Sequence, residues 1–257
     1  MKISFLILSL FLGASAEAKL VTKRIEYKDK DAVLDGYLAY DDAAKGRRPG
    51  VLVVHEWMGE GKYEEERAEM LAKLGYVAFA ADIYGKGVRP TDPKDAGAMA
   101  GKFKGDLPLL RERATAGLDE LRKQPNVDPA KLAAIGYCFG GTTVLELARS
   151  GAALRGVASF HGGLATSMPA EAGKLKAKIV AFHGAEDPFV KPEEVRAFED
   201  EMRKANADWV FSTYAHAVHR FSNFHAVGKN AAPGAAYHAE ADKRSWASLQ
   251  DFFREWF

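Results

Sequence analysis

Short apolar runs bounded by turn residues alternate with longer amphipathic stretches along almost the whole chain. Val51 to His55, Tyr76 to Ala81, Leu132 to Tyr137, Gly156 to Phe160, Ile179 to Gly184 and Trp209 to Tyr214 are apolar and too short for helices, which predicts buried strands. Tyr63 to Leu74, Leu110 to Lys123, Gly140 to Arg149, Pro192 to Ala205 and Tyr237 to Trp256 read as the helices between and after them. Thr22 to Tyr27 and Ala32 to Tyr40, joined by the polar turn Lys28-Asp29-Lys30-Asp31, predict an opening antiparallel pair. The alternation predicts an α/β fold, a mostly parallel doubly wound sheet with helices on both faces. Loops that carry chemistry then lie at the carboxyl ends of the strands. Residues 19–257 are expected to form one domain, since no repeat, low-complexity tract or linker interrupts them.

Two segments escape the pattern. Gly85 to Gly105, with Pro90, Pro93, Gly97 and Gly101, is expected to form a cap or short helices, and Phe221 to Gly234 an irregular loop. Both are placed to shape the mouth of a pocket.

Met1 to Ala18 carry Lys2, an apolar run from Ile3 to Leu12, and small residues in Gly13-Ala14-Ser15-Ala16-Glu17-Ala18. This is the layout of a secretory signal, with cleavage expected after Ala18 and Ala16 as the second choice. The apolar run is too short for a bilayer core of roughly 30 Å, so no membrane span is expected after cleavage. A periplasmic or secreted location fits the cysteine count, because a chain with one cysteine forms no internal disulfide. The 36 basic and 35 acidic residues are scattered without a basic tract, which argues against a nucleic-acid partner. A small-molecule substrate and a monomer are expected.

Chemistry enters at Gly136-Tyr137-Cys138-Phe139-Gly140-Gly141, which follows the apolar run Leu132 to Ile135 and holds the one cysteine of 257 residues. This is a nucleophile elbow of the α/β-hydrolase kind, written Gly-x-Cys-x-Gly. The glycines are required because the residues flanking a nucleophile on so sharp a turn almost touch. The turn sets the sulfur at a helix N-terminus, whose positive end favours thiolate. Partners follow in the order acid, then histidine. Lys178 to Gly184 runs into a turn with Glu186 and Asp187, and after Trp209 to Tyr214 come His216 and His219. Either carboxylate and either histidine satisfies the chain order. His161 and His183, at strand ends, are expected to be packed or hydrogen-bonded, and His225 and His238 to lie at the surface. His216 and His219 are three apart, but nothing completes a metal site by spacing, so neither metal nor cofactor is expected.

Four separated motifs together resemble the dienelactone hydrolases, from about Glu26 to Phe257. They are His55-Glu56-Trp57-Met58-Gly59, Asp82-Ile83-Tyr84, the cysteine elbow, and Gly184-Ala185-Glu186-Asp187 with Tyr214 through Phe221. The resemblance implies a Cys-His-Asp triad of Cys138, His219 and Asp187, since the family's Tyr-x-x-Ala-x-His-x-Phe pattern matches Tyr214, Ala217, His219 and Phe221. It implies that Glu56 contacts the resting thiol and takes its proton when substrate binds. It also implies an oxyanion hole of the backbone N–H groups of Trp57 and Phe139, and a substrate site at Tyr84. The chain departs from the family at two arginines that meet a substrate carboxylate, whose places are held by Lys86 and Asn223. Lys86 offers a point charge without the bidentate fork, and Arg220 is a candidate to compensate.

The expectation is therefore a hydrolase that cleaves an ester or lactone through an acyl-thiol intermediate, with a general short-chain carboxylesterase as the alternative. A non-catalytic ligand-binding or thiol-sensing relative is the contrasting class, and it lacks the resolving thiol that sensing usually needs.

Overall fold

The computed structural model describes residues 19–257; the leader read at residues 1–18 lies outside them. Strands β1 (Leu20–Asp29), β2 (Ala32–Asp41), β3 (Arg48–Val54), β4 (Val77–Ala81), β5 (Val127–Tyr137), β6 (Gly156–Phe160), β7 (Lys178–Gly184) and β8 (Trp209–Tyr214) form one sheet in the order β1-β2-β4-β3-β5-β6-β7-β8. β1 and β2 are an antiparallel hairpin, and β2 joins β4 antiparallel; every pairing from β4 through β8 is parallel. The helices are α1 (Lys62–Lys73), α2 (Pro93–Gly105), α3 (Leu107–Lys123), α4 (Phe139–Arg149), α5 (Pro192–Lys204) and α6 (Ala239–Trp256).

The period-two geometry of a strand explains why the central runs are apolar at every position. In β3, Leu52 and Val54 enter one core with Leu118 and Leu121 of α3 and Val144 and Leu147 of α4. Val51 and Val53 enter the opposite core with Ala68 and Leu71 of α1 and Leu249 and Phe253 of α6. A sheet covered on both faces has no solvated side to mark with polar residues.

The α/β architecture expected from the alternation is the one observed. The one large difference lies in Gly85 to Gly105, where a regular helix of 13 residues, α2, replaces the expected cap or short helices. Asp92 caps it, accepting from the N–H groups of Lys94 and Asp95, and Pro93 opens its first turn. Gly97 and Gly101 read as breakers, yet Ala96, Ala100 and Phe103 bury one face of the helix and hold it on the fold. Among the described residues no helix is long and apolar enough to cross a membrane.

Candidate active site

The elbow is built by crowding. A Cβ on Gly136 would run into the Gly140 carbonyl, and a Cβ on Gly140 into the Val54 carbonyl, so both positions exclude any larger residue. Cys138 sits between β5 and α4 with φ 54° and ψ −114°. For a residue with a side chain this strain is worth about 1–3 kcal/mol, and such strain persists only where the surroundings enforce it. His161 (φ 41°), bonded to the Cys138 N–H, and Arg220 (φ 60°), which lines the cleft, also have positive φ.

Cys138 is partly buried and lines a cleft of about 420 Å³. Trp57, Phe139, Phe189, His219 and Arg220 line it too, and α2 supplies a wall through Gly97, Ala100, Gly101 and Lys104. Lys104, exposed at the rim, has no carboxylate within 4.0 Å among the described residues.

His219 Nδ1 lies 2.8 Å from Asp187 Oδ2, and the Phe189 N–H donates to the other Asp187 oxygen at 2.9 Å. The Asp187 side chain is fully buried. Burial works against a proton on His219, but the Cys138 sulfur and the Asp187 carboxylate outweigh it and push its pKa up to about 10. The rival acid and histidine pair with each other in solvent: His216 Nδ1 is 3.3 Å from Glu186 Oε1, with side chains 85% and 58% exposed. His225 and His238, expected on the surface, are partly buried; His225 meets Glu66, and His238 Nδ1 accepts the Ala241 N–H at the start of α6.

Glu56 is turned to a different partner from the one its motif implied. Arg220 Nε lies 3.2 and 3.0 Å from its two oxygens, Asn223 Nδ2 donates at 2.8 Å, and no hydrogen bond joins Glu56 to Cys138. Asn223, in a place where an arginine was expected, thus serves the protein's own carboxylate. Lys86 is displaced from the site altogether: it pairs with Glu26 on the exposed outer face and does not line the cleft. Its backbone N–H donates to the Val33 carbonyl at 2.9 Å. Tyr84 stands behind the wall, its hydroxyl donating to the Trp57 carbonyl at 3.0 Å.

The loop after β3 is held from beneath by His55, the first residue of its own motif, and by Glu64, which no motif marks. His55 is fully buried, which pushes its pKa down to about 4; its Nδ1–H donates to the Glu56 carbonyl at 2.6 Å and its Nε2 accepts the Ile83 N–H at 3.2 Å. Glu64, in the first turn of α1, accepts the N–H groups of Glu56 at 3.0 Å and Gly61 at 3.2 Å. Burial, reinforced by the nearby Glu56, pushes Glu64 up to about 8. A carboxylate three residues into a helix after glycine was the legible half of a capping box. The Trp57 N–H donates to no acceptor among the described residues, and the Phe139 N–H, first in α4, has no intrahelical acceptor. No group of three or more His, Cys, Asp or Glu poised to hold a metal occurs among the described residues.

A strained elbow at the carboxyl end of a parallel strand, facing a histidine backed by a buried aspartate, defines an α/β-hydrolase. The dienelactone hydrolase family model matches residues 34–257, and the chain belongs to that family. A solved structure named m3DLH is 40% identical, covers 93% of this chain and 99% of its own, and superposes with a TM-score of 0.89. A dienelactone hydrolase-like promiscuous phosphotriesterase from metagenomic libraries is 39% identical, covering 94% of this chain and 100% of that one, with a TM-score of 0.89. A Yersinia pestis protein described as a "Putative carboxymethylenebutenolidase" is 26% identical over 234 residues, 86% of this chain and 84% of that protein. The protein is a carboxylic ester hydrolase of this family.

Proposed function

We propose that the protein hydrolyses esters or lactones through a Cys138-His219-Asp187 triad and an acyl-thiol intermediate. The observation that carries the reading is the grouping of the strained Cys138 with a His219 whose ring is fixed by Asp187 at 2.8 Å in one cleft. The Cys138 thiolate attacks the carbonyl carbon, the C–S bond forms, and the oxygen takes the electron pair. The N–H groups of Trp57 and Phe139 receive that oxyanion. Its collapse expels the alkoxide, which takes a proton from His219. Water then gives a proton to His219 and attacks the thioester, and the thiolate leaves. Tyr84 acts on this scheme by holding the Trp57 carbonyl. Glu56, occupied by Arg220 and Asn223, leaves thiol activation to His219 unless a substrate anion draws Arg220 away.

Apart from Lys104 at the rim, the candidate cations are already matched, which favours a neutral acyl group and so a short-chain carboxylesterase range. Arg220 is matched by Glu56 and Lys86 by Glu26, so neither presents an open fork to a carboxylate. Phosphotriesters are a second substrate class worth assay, because the promiscuous phosphotriesterase is one of the similar solved structures. An exported location is the corresponding proposal for residues 1–18.

The test is turnover of p-nitrophenyl acetate and butyrate, a neutral lactone, a dienelactone and paraoxon by the protein and by Cys138→Ala. Loss of turnover in the variant supports the reading. Equal rates in both proteins overturn it in favour of binding or sensing.

A further inference from the structure

We propose that His161 is a positioning residue for the nucleophile, a neutral imidazole with its proton on Nε2 that anchors the Cys138 backbone and ties it through Ser222 to the loop carrying His219 and Arg220. The kinetic arm of the test below rests on the hydrolase reading; the spectroscopic and alkylation arms do not.

The geometry fixes the direction of every bond. The Cys138 N–H is shared between the Phe160 carbonyl at 3.0 Å and His161 Nδ1 at 3.1 Å. A backbone N–H only donates, so Nδ1 carries no proton. The ring's proton then sits on Nε2, which lies 2.8 Å from Ser222 Oγ and donates to it. Ser222 Oγ lies 2.9 Å from the Tyr63 hydroxyl, which in turn donates to the Ser222 carbonyl at 3.1 Å. Arg67, buried and bridged to Asp242 of α6, closes the chain by donating from Nε to Tyr63 at 3.2 Å and from its other end to the Ser222 carbonyl at 2.6 Å. Every donor in the chain meets an acceptor, the Ser222 carbonyl taking two, and an imidazolium at His161 would set two N–H groups against each other at Cys138.

The surroundings agree. His161 is 1% exposed, and the His219, Phe221 and Tyr137 rings pack around it at 5.2, 5.2 and 6.1 Å. Burial, and after it the neighbouring His219, Arg220 and Arg67, hold its pKa well below that of an ordinary histidine. Both ring nitrogens are occupied, which leaves none to act as a base toward substrate. What the ring does control is the peptide before the sulfur. Cys138 stands at φ 54°, and this turn sets where the thiolate points relative to His219. The same ring couples that angle to Ser222, three residues beyond His219, so the nucleophile and the base share one buried scaffold.

The experiment begins with wild-type protein labelled with 15N histidine and a long-range 1H–15N correlation. The expected result is an unprotonated Nδ1 and a protonated Nε2 for His161, unchanged from about pH 5 to about pH 9. An Nδ1–H tautomer or an imidazolium overturns the proposal. Two variants then split the two bonds. His161→Asn retains an acceptor near Nδ1 for Cys138 and gives up Ser222; His161→Gln reaches toward Ser222 and gives up Cys138. Loss of one neutral hydrogen bond at the elbow is expected to lower kcat and the rate of Cys138 alkylation by iodoacetamide about tenfold in His161→Gln, with KM little changed. His161→Asn is expected to stay within about threefold of the wild type on both readouts. Equal losses in the two variants would mean that the ring only fills space, and would overturn the proposal.

Discussion

Arg220 sets its Nε 3.0 and 3.2 Å from the two carboxylate oxygens of Glu56, the residue that the motif after β3 placed beside the thiol. The Arg220 side chain is 21% exposed and that of Glu56 6%, so the pair is mostly withdrawn from water. Removing one member leaves the other charge with too few partners. Arg220→Met is expected to destabilise the fold by about 2 kcal/mol, less than for a fully buried pair because Arg220 keeps some solvent. Adding Glu56→Gln should restore part of the loss. Urea denaturation checks both, and an unchanged midpoint in Arg220→Met would refute the coupling.

Lys104 is the cation of the cleft with no carboxylate in reach among the described residues. If it meets an anionic group of the substrate, Lys104→Met raises KM for a carboxylate-bearing aryl ester about three- to fivefold, the worth of a solvent-exposed ion pair, and leaves its neutral counterpart alone. Added salt should erode the difference. Equal changes for both esters would assign Lys104 no part in recognition.

The pKa of His219 gives a pH dependence whose sign is fixed. It rises from 6.5 in an ordinary histidine to about 10 in the fold, burial being outweighed by Cys138 and Asp187. The folded chain holds a proton that an unfolded histidine releases, so this contribution is whole below about 6.5 and is lost as the pH climbs through about 10. The fall is read from about pH 6.5 to about 10, where an unfolded histidine has released its proton and the folded one keeps it. Denaturation midpoints across that range should fall more steeply for the wild type than for His219→Gln. Parallel curves would contradict the pairing.

How much of this was legible depended on whether a residue type or a backbone angle carried the information. The elbow was readable because Gly136 and Gly140 admit no substitute, and the strands because both faces of the sheet are covered. The wall formed by α2 was hidden by Gly97 and Gly101, although Asp92-Pro93 announced its start. The fate of Glu56 was illegible, since it follows from the φ of 60° at Arg220 and the turn that delivers Asn223. Lys86 occupied a promising place in the sequence, but in the fold its side chain pairs with Glu26 of β1 in solvent, a meeting that spacing does not show. His161 looked like any packed histidine, because the strand that delivers Cys138 and the loop that delivers Ser222 meet only in the fold.

The most direct test of the central claim is to quench the protein within milliseconds of mixing with p-nitrophenyl butyrate and weigh it intact. The account predicts a species heavier by one butyryl group, mapped by peptide digestion to Cys138 and absent in Cys138→Ala. It further predicts that the species persists longer in His219→Gln, where water lacks its base. An unmodified Cys138 during steady turnover, or a butyryl group carried by another residue, would contradict it.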